Sequence, residues 1–463
     1  MFIGREKELA ALNAQYNRNE FSMFILYGRR RIGKTELLRE FMKGKKGVYY
    51  TGVETSDAEN LVGLIDQILF TYGVDDSGIT LNGYEGAFRY LSKRAEKERV
   101  LLIIDEYPCM VKENAGLSSL LQRAIDTEWK QRNIMLVLCG SSISFMEENV
   151  LGSKSPLYGR RTGQLKLEAF PYTYTAKFCP DYTAEENAIL YGVTGGIPKY
   201  LEIMRPELSL DENLVMNCFS TDGYLYEEPL NLLKQEVQKV SLYNSLISAI
   251  ATGTHRLNEI AAKTSLSNSQ CIQALQRLEE LGIVRKIYPL TDEKNKKQVQ
   301  YVIADLMFAF WYRFVKKGLS NIGMGYGKAY YQMMVKPQIH DYMGRPFEKM
   351  CQDFIFEQSM EGRIDIFLTR TGSWWGSNPV TKKPDDIDVV ALSDQDHQAL
   401  IGECKFRNEK LGTEIYEKLL QRQALIKGYS VRLYALFSLG GFTETLKKTK
   451  GPLLYTLDDM YEK

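Results

Sequence analysis

One eight-residue stretch, Gly28-Arg29-Arg30-Arg31-Ile32-Gly33-Lys34-Thr35, constrains this chain more than any other. Two glycines with four residues between them, followed by Lys and Thr, have the spacing of a loop that wraps phosphate groups. The apolar run Phe24-Ile25-Leu26-Tyr27 before it predicts a buried strand, and Glu36 to Met42 after it predicts a helix. The glycines therefore stand where a strand feeds a helix N-terminus, where backbone N–H groups converge and the helix dipole favours an anion. Gly28, Arg29, Arg30, Arg31, Ile32, Gly33, Lys34, Thr35 and Glu36 are the expected nucleotide-binding residues. Lys34 is placed to reach the β and γ oxygens and Thr35 to ligate Mg²⁺. A Gly-rich turn with solvated arginines is the alternative, and it explains none of the Lys-Thr pair.

A second apolar run, Val100 to Ile104, ends in Asp105-Glu106. Continuous apolar strands belong to buried parallel sheets. Asp105 at the strand tip suits Mg²⁺, and Glu106 suits polarising a water for attack on the γ-phosphate. A third run, Ile134 to Gly140, ends in Ser141-Ser142, so Ser141 is a candidate contact to the γ-phosphate. The loop Pro156 to Arg161 offers Arg160 as a second such contact, or is simply a solvated basic loop. Thr194-Gly195-Gly196-Ile197-Pro198 predicts a helix break, a hinge next to nucleotide.

At 463 residues the chain is too long for one ordinary core. Its 44% apolar and 25% charged residues are those of a soluble globular protein. No apolar run is long enough to span a bilayer, so no membrane association is expected. Seven cysteines without a C-x-x-C pair point to reduced thiols in a cytoplasm. Three distant histidines argue against a Cys/His zinc site. The net charge of +1 gives no overall nucleic-acid footprint, so any such binding needs a local patch.

Taken in order, Gly28 to Thr35, Leu102 to Glu106, Gly140-Ser141-Ser142, Pro156 to Arg161 and Gly195 to Pro198 resemble the prokaryotic ATPases related to the AAA+ and STAND groups. The opening Phe2-Ile3-Gly4-Arg5-Glu6-Lys7-Glu8-Leu9 is similar to those proteins as well, where it lies beside the adenine pocket. The resemblance covers roughly residues 1–235. It implies ATP as ligand and a helical lid over it, in which Gly196 and Pro198 take the place of the family's Gly-x-Pro. Ser141-Ser142 depart from the Asn or Thr that many AAA+ ATPases carry there.

Between about 240 and 303, Leu257, Ile260, Ala261 and Leu266 have helical spacing. Ser267 is a capping signal, and Gln270 to Leu281 predicts a second helix with Ile272, Leu275, Leu278 and Leu281 on one face. Two short strands with Lys294, Lys296 and Lys297 in the loop between them complete the pattern of a winged helix, with Gln270, Gln273, Gln276 and Arg277 facing out. DNA contact and a structural spacer are equally open readings. The aromatic run at 304–318 predicts helical core, with a nucleic-acid stacking face as the alternative.

Near the C-terminus, Asp385 to Leu392 and Leu400 to Phe406 predict an antiparallel hairpin. Glu403 and Lys405 are two apart and share a face, and Asp388 is placed to meet them across the hairpin. Two carboxylates and a lysine at one spot can hold Mg²⁺ and activate water against a phosphodiester. This set is similar to the PD-(D/E)xK nuclease superfamily, with Glu403-x-Lys405 as its signature and Glu348 matching the acid such nucleases carry on their first helix. The whole architecture resembles archaeal and bacterial ATPases with a C-terminal domain of unknown function related to these nucleases. A degenerate domain kept for protein docking is the alternative, and Trp374-Trp375 either stacks on a base or closes the core edge.

The expected fold is thus α/β and multidomain. It comprises a P-loop NTPase parallel-sheet core (1–170), a helical lid (171–238), a winged helix-turn-helix with its aromatic helix (239–318), a linker (319–345) and a restriction-endonuclease-like domain (346–463). The expected function is an ATP-driven switch controlling a metal-dependent nuclease domain that acts on DNA or RNA. Self-association or a regulatory protein partner is compatible with it. A regulatory ATPase that only binds protein or DNA is the runner-up, and a transcription regulator the remote third.

Overall fold

The computed structural model describes residues 2–73, 81–293, 295 and 298–462. The chain divides into two units, Met1–Ala169 and Phe170–Lys463.

The first unit is built on β1 (Ser22–Tyr27), β2 (Val48–Thr51), β3 (Val100–Asp105), β4 (Ile134–Gly140) and β5 (Gly163–Lys166), in the order β2-β3-β4-β1-β5. Every pairing is parallel. β1, β3 and β4 are buried along their whole length. Helices on both faces bury both sides of each strand, which is why these strands read as unbroken apolar runs. Because all five run the same way, their C-terminal ends share one edge. The loop after Tyr27, the acids after Ile104 and the serine after Gly140 meet there.

In the second unit, helices Leu257–Thr264 and Asn268–Glu280 precede the antiparallel pair β6 (Val284–Ile287) and β7 (Gln300–Ile303). Ser267 caps the second helix, accepting from the Gln270 N–H while the Gln270 side chain accepts from the Ser267 N–H. One expectation fails here. The buried stripe is Cys271, Ala274, Leu275 and Leu278, whereas Ile272 is 45% exposed. Cys271 fills the i, i+3, i+4, i+7 register, and Ile272 sits one position off it. The lysines Lys294, Lys296 and Lys297 lie outside the described residues.

The aromatic run packs inward. Met307, Phe308, Phe310, Trp311, Tyr312, Phe314 and Val315 are all buried. Residues 319–345, expected as a linker, are largely helical, and the long helix Ile339–Met360 begins well before residue 346 with Pro346 inside it. Phe347, Met350 and Phe354 are buried, and this burial outweighs the hydrogen bond that proline removes.

That helix packs on a five-stranded sheet of β8 (Arg370–Ser377), β9 (Pro384–Ser393), β10 (Gln398–Lys405), β11 (Ser430–Ser438) and β12 (Pro452–Thr456), ordered β12-β11-β10-β9-β8. β8, β9 and β10 are antiparallel neighbours; β10, β11 and β12 run parallel. Trp374 is buried, and the Trp375 indole N–H donates to the Gln298 carbonyl (3.1 Å), so the tryptophan pair closes the edge of the core. Among the described residues no helix is long and apolar enough to cross a membrane.

Candidate functional site

Two sites stand out, one in each unit. In the first, Gly28 (φ 153°), Arg31 (φ 67°) and Gly33 (φ 88°) bend the backbone after β1. A side chain at Gly28 would meet the Leu167 carbonyl oxygen at 2.5 Å, so only glycine fits this approach. Helix Lys34–Met42 starts directly after Gly33. Lys34 is buried and folds back over the loop, its Nζ donating to the Gly28 and Arg29 carbonyls (2.8 and 2.9 Å). Burial pulls its ammonium below the ordinary value, while the Glu106 and Asp105 carboxylates act against that shift.

Thr35 Oγ1 donates to Asp105 Oδ2 (2.9 Å). The two side chains expected to hold a cation are therefore in contact across β1 and β3. Their hard oxygens suit a small divalent ion, and the lysine with the helix N-terminus suits a polyphosphate. Tyr49, absent from the sequence reading, donates its hydroxyl to the same Asp105 oxygen (2.6 Å). Burial and then the Asp105 charge raise the Tyr49 phenol far above its ordinary value, so it stays a donor. Its only sequence signal is its place on the strand that pairs with β3.

Glu106 takes a left-handed backbone conformation (φ 49°) between β3 and helix Tyr107–Glu113. Non-glycine residues adopt it at a cost of about 1–2 kcal/mol. Its Oε2 accepts from the Ser141 hydroxyl (2.8 Å) and backbone N–H (3.3 Å). Glu106 and Ser141 are thus brought together at the sheet edge. Arg5 ties the opening segment to the loop, donating to the Glu168 and Ile32 carbonyls (2.6 and 3.4 Å). Glu36 turns its side chain outward to Arg39 (2.8 Å), so only its backbone faces the loop.

Arg160 is a correction. It lies three residues before the start of β5, beside the point where the Thr162 N–H donates to the Met23 carbonyl, so it stands at the sheet edge opposite the loop. The six-residue β1 between the two edges spans about 17–20 Å, beyond the reach of an arginine. Its guanidinium is taken by Asp126 (2.5 Å) and the Pro156 carbonyl (2.8 Å), and it holds the Asp126 carboxyl down at about 2. Pro198 opens helix Pro198–Glu202 after the turn Gly195-Gly196, as the expected helix break requires. It belongs to the second unit.

The second site lies at the end of the β9–β10 ladder. Gly402 pairs with Val389, so the next residues, Glu403 and Asp388, face each other. Lys405 Nζ donates to Glu403 Oε1 (2.7 Å) and Asp388 Oδ2 (3.3 Å). The three side chains thus share one face, as their spacing requires. Asp388 also accepts from the Cys404 N–H (3.1 Å), and the Gln352 amide donates to the Asp388 carbonyl (3.0 Å). Burial raises the Glu403 carboxyl, helped by Asp388 and opposed by Lys405. Burial also raises Glu348, with Asp388 adding to it, which places Glu348 in the field of the same cluster. Burial lowers Lys405, but Asp388 and Glu403 outweigh it and leave the ammonium above its ordinary value.

Arg422 was missed. It is buried at the end of helix Thr413–Arg422 and donates to Glu403 Oε2 (2.7 Å) and Asp385 Oδ1 (2.8 Å). Its helix was expected, but a single sequence does not say which of its residues turns inward. Among the described residues no group of three or more His, Cys, Asp or Glu is arranged to hold a metal ion. Lys405 sits between the two carboxylates instead.

Comparison with known proteins follows the same division. Residues 2–204 match a family of ATPase domains found predominantly in Archaea. Residues 311–418 match a family of archaeal and bacterial proteins of unknown function. An uncharacterized protein of Methanocaldococcus jannaschii is 31% identical over 99% of this chain and 100% of its own length. An uncharacterized ATP-binding protein of the same organism is 48% identical over 10% of this chain and 78% of its own length. Among solved structures, the Walker-type ATPase of Pyrococcus abyssi superposes with a TM-score of 0.53 at 18% identity, covering 67% of this chain and 96% of that one.

Proposed function

This chain belongs to the same family as the Methanocaldococcus jannaschii protein that matches it end to end, and within it residues 2–204 match archaeal ATPase domains and residues 311–418 match a family of unknown function. On that premise we propose that it is an ATP-binding and ATP-hydrolysing switch protein whose C-terminal domain is a metal-dependent nuclease acting on nucleic acid.

The observation that carries the ATPase half is the contact of Thr35 with Asp105 beside the buried Lys34. Lys34 and the loop would hold the β and γ phosphates of ATP, and Thr35 and Asp105 would hold the Mg²⁺ that neutralises their charge. Glu106, oriented by Ser141, is the base for water. Gly196 and Pro198 belong to a helical lid, and the helix pair with its β6–β7 hairpin acts as a winged helix. For the nuclease half, support comes from Asp388, Glu403 and Lys405 on one face with Glu348 close by. Asp388 and Glu403 would hold a divalent cation only once Lys405 Nζ releases them; the cation would supply charge for activating water, and the freed lysine would act on water or on phosphate charge.

A second reading is favoured by one observation. Lys405 and Arg422 already neutralise the carboxylates, as they would in a domain kept only to bind protein or DNA. The deciding measurement is cleavage of single- and double-stranded DNA and RNA with Mg²⁺ or Mn²⁺, each with and without ATP. Metal-dependent cleavage that disappears in Asp388→Ala establishes the nuclease, and no cleavage on any form under any condition leaves the binding-only domain.

A further inference from the structure

The stripe Arg345, Glu348, Gln352 runs along one face of helix Ile339–Met360, at spacings i, i+3 and i+7. Gln352 touches the Asp388 backbone, and Glu348 lies in the field of Asp388 and Lys405. Arg345 is one turn further on, about 5 Å along the axis. Its side chain reaches solvent, while the protein packed around it lowers the guanidinium below its ordinary value and the Glu348 carboxylate on the same face opposes that shift without forming an ion pair with it. Other arginines of this unit are neutralised: Arg370 by Asp394, Arg313 by Asp341 and Arg422 by Glu403.

What holds Arg345 is a neutral ring. Its Nη2 donates to His255 Nε2 (2.7 Å), and His255 Nδ1 lies 3.1 Å from the Tyr301 carbonyl oxygen, which requires the proton on Nδ1. The Tyr301 N–H donates back to the His255 carbonyl (2.8 Å), so β7 fixes the imidazole at two points. Burial, then the charge of Arg345, lowers the His255 ring to about 4. At neutral pH the histidine therefore aims the guanidinium without adding or removing charge.

We infer that Arg345 is a phosphate-binding residue that draws the backbone of a nucleic-acid strand to the Asp388–Glu403–Lys405 site, with His255 as its positioning residue. The inference rests on the reading that the second unit engages nucleic acid. A planar guanidinium with several N–H groups left to donate matches two oxygens of one phosphodiester. Held one turn from Glu348, it binds a phosphate beside the one at the carboxylates. The strand is recognised by its backbone, so no base preference arises from this contact.

The test is equilibrium binding of fluorescently labelled single-stranded DNA, duplex DNA and RNA to the full chain, with Ca²⁺ in place of Mg²⁺ and over a series of salt concentrations. Arg345→Gln keeps a donor for His255 but removes the charge. Its affinity is expected to fall about tenfold, with the slope of log K against log salt smaller by about one. Arg345→Lys keeps the slope and loses only part of the affinity. His255→Ala weakens binding less than Arg345→Gln while retaining the slope. Thermal unfolding of each variant checks the fold, and Arg345→Lys carries the test if Arg345→Gln does not fold. Unchanged affinity and slope in Arg345→Gln overturn the inference, as does a full chain that binds none of the three nucleic acids. Arg345-dependent binding without cleavage in Mg²⁺ or Mn²⁺ removes the nuclease reading and leaves Arg345 in its role.

Discussion

Lys34 shows how one residue is specified twice. The two glycines and the Lys-Thr pair announce it, and the structure buries it with its ammonium over the loop carbonyls. A charge-assisted contact of this kind contributes about 1.5–3 kcal/mol. Lys34→Ala is therefore expected to weaken ATP binding by about ten- to a hundredfold in calorimetric titration; equal affinity in the variant would remove the phosphate site. Glu106 separates binding from turnover. Glu106→Gln should keep ATP affinity and slow hydrolysis by about a hundredfold or more, since an amide is no base. Ser141→Ala, which removes the hydroxyl that donates to Glu106, should give a smaller loss of turnover at the same affinity. Steady-state hydrolysis and ATP titration of both variants check this, and parent rates would place the base elsewhere. Tyr49 and Arg422 escaped sequence reading for one reason: each acts through a long-range contact, to Asp105 and to Glu403, that no local pattern records.

Elements follow their local signals where burial agrees with them. The capping box at Ser267 starts its helix as expected, and the unbroken apolar strands form the parallel sheet. Local reading failed over Ile272 and over the 319–345 segment, where the packing surface decided which residues turn inward. The β7–His255–Arg345 link makes a prediction about pH. His255 has an ordinary value near 6.5 and is lowered to about 4 when folded. Above 6.5 the ring is neutral in both states and its contribution is fully present. As pH falls through 6.5, the unfolded chain takes up a proton that the folded ring refuses until about 4. Stability is lost across that window, by no more than about 3.4 kcal/mol at 1.36 kcal/mol per pH unit and by less because the half-buried ring is partly screened by solvent. Urea unfolding of the parent and of His255→Gln at pH 7.5 and 4.5 should show the parent losing more stability than the variant. Equal losses would mean that the ring titrates normally.

For the whole molecule, the two sites fall in separate units. Asp388→Ala and Lys405→Ala should each abolish any cleavage while ATP hydrolysis continues largely intact, measured on the same preparations. Loss of hydrolysis in both variants would contradict that separation. Local spacing was enough to place the phosphate loop, the acids of β3, the parallel strands and the meeting of Asp388 with Glu403 and Lys405. All of these rest on spacing within a strand, a turn or a hairpin, where chain geometry fixes which side chains share a face. Folding in three dimensions put Arg160 at the far edge of the sheet, Arg422 and Lys405 against the carboxylates, and Arg345 on His255. Those outcomes depend on strand order and on contacts between segments dozens of residues apart, and these are set by how the cores pack.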